Sequence, residues 1–147
     1  MKVVVQRSNE ASVSVDNKLI NKIDKGLVLL VGFTQTDNEK IIDYIVNKVL
    51  HLRIFEDENN IMNKNILDYG GEILSISQFT LYGDASKGNR PSYIKALNGD
   101  EAIKLYNMFN EKLSKEIVVK PGVFGADMKI KLENVGPTTI LLEKEGW

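Results

Sequence analysis

"KGLVLLVGFTQTDNEKIIDYIVNKVLHL", Lys25 to Leu52, contains both kinds of element that set the architecture. Leu27 to Phe33 is an unbroken apolar run behind the turn signal Asp24-Lys25-Gly26, which predicts a strand buried on both faces. The period then changes. Ile41, Ile45 and Val49 recur at i, i+4 and i+8, with Ile42, Val46 and Leu50 beside them, and this predicts an amphipathic helix. Thr36 or Asp37 is the expected cap, and Glu39 falls in the first turn, where the helix dipole favours a negative charge.

On the N-terminal side, "KVVVQRSNEASVSVD" is rich in β-branched residues, and Ala11, Val13 and Val15 alternate with polar ones. It reads as a strand with one solvated face. On the C-terminal side, "RIFEDENNIMN" reads as a short strand and a polar turn. "GEILSISQFTL" reads as a second buried strand after the Gly70-Gly71 turn. "NGDEAIKLYNMFNEKLSKE" reads as a second helix, with Ala102, Leu105, Phe109 and Leu113 on one face. The remainder reads as strands broken at Pro121-Gly122 and Gly136-Pro137, with Met128, Ile130 and Leu132 alternating with Lys129, Lys131 and Glu133. This order predicts one α+β domain over residues 1–147 with two main helices. "VGFTQTD" and "SQFTLYGD" are alike enough to suggest a duplicated strand–helix unit.

The 147 residues are 43% hydrophobic and 27% charged, as expected of a globular chain, and the formal net charge is -1. That balance argues against a broad electrostatic binder of nucleic acid, DNA included, while leaving room for a local basic patch. With no cysteine, thiolate chemistry and Cys-ligated metals are excluded. No apolar run approaches the roughly 20 residues of a membrane span, and the N-terminus lacks a signal-peptide core; a cytoplasmic location is the expectation.

Little of the usual catalytic equipment is present. The only histidine, His51, closes the first helix and reads as structural. There is no Gly-x-Ser-x-Gly elbow, Gly-x-Gly-x-x-Gly or P-loop. Glu56, Asp57 and Glu58 lack calcium-loop spacing and read as a solvated turn, so neither metal nor cofactor is expected. What remains is "SQFTLYGDASKGNRPSY", Ser77 to Tyr93. Its hydroxyls, Ser77 and Thr80, are either satisfied within a strand or turned to a ligand, and pattern alone does not decide. Lys87, Arg90 and Lys95 are interleaved with Tyr82 and Tyr93. Composition favours a solvated loop there over a phosphate contact with aromatic neighbours.

That stretch closely resembles the signature motif of the D-aminoacyl-tRNA deacylases. "NVGPTT", Asn134 to Thr139, resembles the family's second motif, a Gly-Pro within Asn-x-Gly-Pro-x-Thr. "VVQRSNEASVSVD", "LRIFEDENNIMN" and "GVFGADMKIKLEN" resemble three further family segments, so the likeness runs in order nearly end to end. One departure is Asn in "EDENNIMN" where the family has a Gly-Lys pair. The resemblance implies a barrel-like arrangement of mixed sheets and a homodimer. It implies hydrolysis of the ester that joins a D-amino acid, or glycine mischarged on tRNA(Ala), to the terminal adenosine of tRNA.

It also implies site residues. Ser77, Gln78, Phe79 and Thr80 would form the catalytic pocket. Gly136 and Pro137, joined by a cis bond, would act as the chiral filter within the partner's pocket. Arg7 would brace them, and Phe124, Ala126 and Met128 would complete the substrate site. Lys87 and Arg90 would lie against tRNA. An aminoacyl ester is already activated, which suits a site with no histidine: backbone amides of Phe79 and Thr80 would hold the oxyanion, and the ribose 2′-hydroxyl would help activate water. The other readings are a non-catalytic protein that binds the tRNA acceptor end, a structural or interaction protein, and a small-ester or amide hydrolase with Thr80 as nucleophile.

Overall fold

Why the chain needs two cores follows from its strands. The computed structural model describes residues 1–147. The N-terminal β-branched segment does not form one strand. It breaks at Asn9-Glu10 into β1 (Lys2–Ser8) and β2 (Ala11–Val15), which belong to different sheets. β3 (Lys18–Ile23) folds back on β2, and β4 (Gly26–Gly32) returns to β1. α1 (Glu39–His51) follows, then the small hairpin β5 (Phe55–Glu56) and β6 (Met62–Lys64), the single turn α2 (Ile66–Tyr69) and β7 (Glu72–Ser77). A 3₁₀ turn at Phe79–Tyr82 and a long loop lead to α3 (Gly99–Ser114). The chain ends with β8 (Val119–Pro121), β9 (Met128–Lys131) and β10 (Asn134–Glu143).

The large sheet has the order β10-β1-β4-β7-β8 and is mixed. β1 is antiparallel to β10 and β4, whereas β4, β7 and β8 are mutually parallel. Each parallel step needs a crossover, and α1 and α3 supply the two of them. Both helices cover one face of the sheet. Ile41, Ile45 and Val49 of α1 and Ala102, Tyr106, Phe109 and Leu113 of α3 join Val3, Val5, Leu27, Leu29 and Ile73 in the main core. Tyr106, not Leu105, carries the buried stripe of α3. The antiparallel sheet β3-β2-β9 packs on the opposite face, where Ala11, Val13 and Ile23 meet Val28, Leu74 and Ile76. Val28 and Leu29 thus point into different cores, which is why Leu27 to Phe33 reads as an unbroken apolar run.

The two sheets share a corner: β1 continues into β2 where β9 continues into β10, tied by Asn9 N–H to the Glu133 carbonyl at 3.2 Å. Their ladders do not otherwise join, so the architecture is α+β with packed sheets and three helices. β4 followed by α1, and β7 followed by α3, are neighbouring parallel strand–helix units of like layout.

Helix starts differ from expectation. Asn38 caps α1 by accepting from Ile41 N–H at 3.0 Å, while Asp37 instead accepts from Thr34 N–H at 2.8 Å. Asn98 caps α3 in the same manner, from Glu101 N–H at 3.1 Å. The β5–β6 turn is built by Asp57, whose carboxylate accepts from Asn59 and Ile61 N–H. Those two bonds hold its pKa below the usual carboxylate value. Asn60 occupies that turn at φ 60, a left-handed conformation that asparagine tolerates almost as glycine does. The departure from the family's glycine is therefore conservative in backbone terms.

Candidate active site

The parallel strands β4 and β7 end side by side, and the strand order places a crevice beyond their carboxyl ends. The last ladder pair is Val31 with Ser77. One residue later, Gln78 N–H donates to the Val31 carbonyl at 2.7 Å, and the chain leaves the sheet as the Phe79–Tyr82 turn. "SQFT" is thus not a strand. Only Ser77 belongs to β7; Thr80 is exposed on the turn.

Gly32 permits this docking. A Cβ there would lie 2.9 Å from the Gln78 carbonyl oxygen and 3.2 Å from Leu81 Cβ. Leu81 N–H and Gly83 N–H close the turn onto the Gln78 and Thr80 carbonyls. Phe79 N–H and Thr80 N–H, first in the turn, donate to no acceptor in the chain.

A cavity of about 550 Å³ opens at this point. Ser77, Gln78 and Phe79 line it together with Phe124, Ala126 and Met128. The expected catalytic and substrate residues are therefore brought together, apart from four. Arg7, Gly136 and Pro137 do not line this cavity within the chain. Thr80 sits just outside it, where its hydroxyl oxygen accepts from Gln78 Nε2 at 2.5 Å. No imidazole, carboxylate or amine bonds the Thr80 hydroxyl, so nothing is placed to take its proton. His51 bonds the Asn47 carbonyl oxygen through Nδ1 at 2.8 Å on the exposed end of α1, away from the cavity.

Sequence reading missed several lining residues. Val31, Gly32 and Phe33 come from the end of β4. Gly99 and Ala102 come from the first turn of α3, which also carries Asp100 and Glu101. Asp127, within "GVFGADMKIKLEN", also lines the cavity, and nothing in spacing alone sets it apart from its neighbours.

The second motif is held elsewhere. The Gly136–Pro137 peptide is cis, and both residues are exposed. Beneath them lies Arg7, 8% exposed. It donates from Nε to the Val135 carbonyl at 3.1 Å and from Nη1 to the Ile54 carbonyl at 2.9 Å. Asn134 Oδ1 accepts from Thr138 N–H at 2.8 Å, and Asn134 Nδ2 donates to the Thr139 hydroxyl oxygen at 2.8 Å.

The basic loop is also ordered. Asp84 and Ser92 exchange two backbone hydrogen bonds of 2.8 Å, and Lys87 and Arg90 project, exposed, from the segment between them. Hydrogen bonds from the side chain and backbone of Ser86 hold the Asp84 pKa below its usual value. Of the two tyrosines read as aromatic neighbours, only Tyr93 is exposed, edge-on to Phe79 at 5.2 Å between ring centroids. Tyr82 is buried and donates to Glu145 at 3.2 Å, and burial together with nearby carboxylates pushes its pKa far up, so it offers no stacking face.

The family model described as D-Tyr-tRNA(Tyr) deacylase matches residues 4–143. The chain belongs to that family. Membership makes it an enzyme, a hydrolase of ester bonds, as the resemblance of its motifs implied. D-aminoacyl-tRNA deacylases of Clostridium botulinum (strain Langeland) and of Listeria monocytogenes serotype 4a are each 53% identical over 146 residues. These matches span 99% of this chain and 98% and 97% of those proteins. Among solved structures, the c-Myc DNA Unwinding Element Binding Protein superposes with a TM-score of 0.94 at 41% identity, over 99% of this chain and 100% of that one. A probable eukaryotic D-amino acid tRNA deacylase gives 0.82 at 17% identity, over 96% and 97%, a likeness of fold.

Gly32→Ala tests whether this deacylase-family site depends on the docked turn. The methyl must displace backbone, so the variant is expected to lose about 1–3 kcal/mol of stability in chemical denaturation. Deacylase activity should fall further than the folded fraction does, because Phe79 and Thr80 move with the turn. Wild-type activity at wild-type stability would refute the close approach.

Proposed function

We propose that the chain hydrolyses the ester between a D-amino acid and the 3′-terminal adenosine of tRNA, releasing both, and so proofreads chirality in translation in the cytoplasm. The observation that carries this reading is the pair of unpartnered amides, Phe79 N–H and Thr80 N–H, beside a cavity walled by the family's own signature residues. Two convergent donors suit the oxyanion of a tetrahedral intermediate. The absence of any base at Thr80 favours attack by water, with the ribose 2′-hydroxyl assisting, over a threonine nucleophile. The relatives named D-aminoacyl-tRNA deacylase support the substrate class.

Hydrolysis of D-tyrosyl-tRNA but not L-tyrosyl-tRNA is the direct test; a protein that binds the acceptor end and leaves both esters intact would defeat the proposal. Within it, Thr80→Ala should lower the rate by no more than about 10²–10³, the usual cost of one oxyanion or positioning contact. A tRNA ending in 2′-deoxyadenosine should lose more. A dead Thr80→Ala enzyme alongside normal turnover of the deoxy substrate would restore the nucleophile.

Chirality is the task of Gly136 and Pro137 in this reading. Their backbone carbonyls would receive the substrate ammonium and leave no space for an L side chain, while a D side chain points elsewhere. Glycine, with no side chain to reject, would pass, which extends the substrates to glycyl-tRNA(Ala). Since the chain's own cavity is not lined by Gly136 and Pro137, the pair would enter the cavity of a second copy, and the working unit would be a homodimer of residues 1–147. Sedimentation equilibrium should show the dimer at micromolar concentration, and a monomer there would break this arrangement.

Lys87 and Arg90 are read as contacts to the acceptor-end phosphates, in keeping with their exposure on an ordered loop beside Phe79 and Tyr93. Neutralising both should raise KM more than it lowers kcat and flatten the salt dependence of binding, by roughly one unit of log–log slope per phosphate lost. An unchanged slope would return them to the solvent. DNA is not proposed as a partner; the DNA element in the name of one structural relative describes that protein.

A further inference from the structure

We propose that Lys40, Lys48 and Lys144, gathered over the rings of Tyr44 and Trp147, form a surface that holds the tRNA backbone beyond its acceptor tip. The proposal rests on the reading of the chain as a deacylase of aminoacyl-tRNA, and it names a second place where that substrate is gripped.

The cluster is built by contacts between side chains. Lys144 Nζ lies 3.8 Å from the centre of the Trp147 ring and 5.3 Å from that of Tyr44. Lys40 Nζ lies 5.0 Å from the Trp147 ring, and Lys48 Nζ 5.7 Å from the Tyr44 ring. The two rings meet edge to face, 5.1 Å apart. Asn38 Nδ2 donates to the Trp147 carbonyl oxygen and ties that segment to the start of α1, yet Trp147 remains 47% exposed. None of the three lysines forms an ion pair with a carboxylate of the chain. The neighbouring acids are engaged elsewhere: Glu39 and Asp43 with Lys112 at 3.0 and 2.7 Å, Glu143 with Lys2 at 3.8 Å, Asp37 with Thr34 N–H at 2.8 Å, and Glu145 with the Tyr82 hydroxyl at 3.2 Å. Other exposed lysines also lack a carboxylate, but they stand singly: Tyr82 and Tyr69 each have one lysine over the ring, Lys2 and Lys25. Only here are like charges held together. Their repulsion is offset in part by the ring quadrupoles and directly by a bound anion.

Where the cluster sits identifies the anion. β1 pairs Lys2 with Gly32 on one side and with Glu143 on the other. The next row at that end of the sheet holds Phe33, Met1 and Lys144, with Lys144 N–H on the Met1 carbonyl at 3.1 Å. Phe33 lines the cavity. Lys144 stands two strands away, roughly 10 Å at the usual strand spacing. α1 begins at this same end, carrying Lys40 in its first turn and Lys48 two turns later. An aminoacyl ester seated in the cavity leaves its nucleotide chain outside. That chain is a polyanion of regularly spaced phosphates, and it must run over the surface around the cavity mouth. With a formal net charge of -1, the protein can hold it only where cations are collected. Ammonium groups meet phosphates as point charges and read no base, so they fix position and not sequence. An acidic peptide would also suit three lysines, but it would have no reason to lie beside this cavity.

Two substrates of different reach separate this role from a structural one. D-tyrosyl-tRNA extends over the surface, whereas adenosine esterified with D-tyrosine ends at the cavity. Lys40→Gln, Lys48→Gln and Lys144→Gln combined should raise KM for the tRNA about tenfold and leave kcat/KM for the nucleoside ester unchanged. Uncharged tRNA should bind about tenfold more weakly, and its log–log salt slope should fall by about two, at roughly 0.7–0.9 per phosphate contact. Arginine at the same three positions should restore both. Lys40→Gln with Lys48→Gln, both exposed on α1, keeps the test open if the Lys144 variant folds poorly, and should raise KM about fourfold. Trp147 is the only tryptophan, so its emission should change on titration with uncharged tRNA and stay constant with adenosine. Equal loss on both substrates, or an unchanged tRNA affinity and salt slope, overturns the proposal; so does lysine-dependent binding of polyglutamate with none of tRNA, which would assign the surface to an acidic protein. If the wild type binds uncharged tRNA through these lysines but cleaves neither ester, the surface stands and the reading as a deacylase fails. If it cleaves both and the triple variant keeps the wild-type KM for D-tyrosyl-tRNA, only the inference about this surface fails.

Discussion

The hydrogen bond from Gln78 N–H to the Val31 carbonyl, at 2.7 Å, is the hinge on which the site turns. It lies one residue beyond the last β4–β7 pair and converts a parallel ladder into a docked 3₁₀ turn. A longer β7 would have spent the Phe79 and Thr80 amides on ladder bonds. A freely exposed loop would have left them without fixed direction. Ending the strand against its neighbour leaves two donors unspent yet held by the sheet beneath, and preorganised dipoles of this kind act without reorganisation cost when charge develops. The requirement propagates backwards. β4 must end at a residue without a Cβ, which is Gly32. It must also be buried on both faces, because α1 and α3 cover one side and β3-β2-β9 the other.

The same geometry accounts for a hydrolase with so little ionisable equipment. Its lining offers backbone amides, Ser77, the Gln78 amide and one carboxylate. Such a set is poorly suited to amides or unactivated esters, which need a strong nucleophile or a metal. It is sufficient for an aminoacyl ester, whose leaving group is a ribose oxygen with a hydroxyl neighbour. Gln78 Nε2 donating to the Thr80 oxygen leaves that hydroxyl's own proton free to be donated, the polarity opposite to an activated nucleophile.

Much of the architecture was legible because its signals were periodic. The double-sided run Leu27 to Phe33 and the i, i+4, i+8 rows of α1 declare themselves through composition and spacing. What escaped notice depended on tertiary approach. "SQFT" carries β-compatible residues, yet only contact with Gly32 and Val31 turns it out of the sheet. The break at Asn9-Glu10 has no proline or glycine to mark it and follows from the corner that β1 and β10 turn together. Tyr82 looks like an exposed aromatic in a polar loop, but its burial is set by Lys2 and Glu145 at the two chain ends. That Ser77 to Phe79, Phe124, Ala126 and Met128 share one cavity follows the family resemblance, whereas the contribution of Val31 to Phe33, Gly99 and Ala102 comes from the tertiary approach of β4 and α3.

The second motif shows a constraint of a different origin. Gly136 has φ 119, and a Cβ placed there would meet Thr138 Oγ1 at 2.6 Å and Arg7 Nη2 at 2.9 Å. The guanidinium cannot retreat easily, because two of its nitrogens are committed to the Ile54 and Val135 carbonyls in a nearly buried setting. Arg7 therefore does more than neutralise a charge, and its ion pair with Glu56, at 3.9 Å to a half-exposed carboxylate, is the weakest of its contacts. Its rigid fork fills the space behind the Gly136–Pro137 tip and anchors the preceding carbonyl, so the tip projects as a stiff backbone element with no side chain to yield. In the proposed role of chiral filter, discrimination by shape would require that stiffness. A flexible tip would move aside for an L side chain, and the free energy separating two enantiomers would be lost in the tip's own deformation.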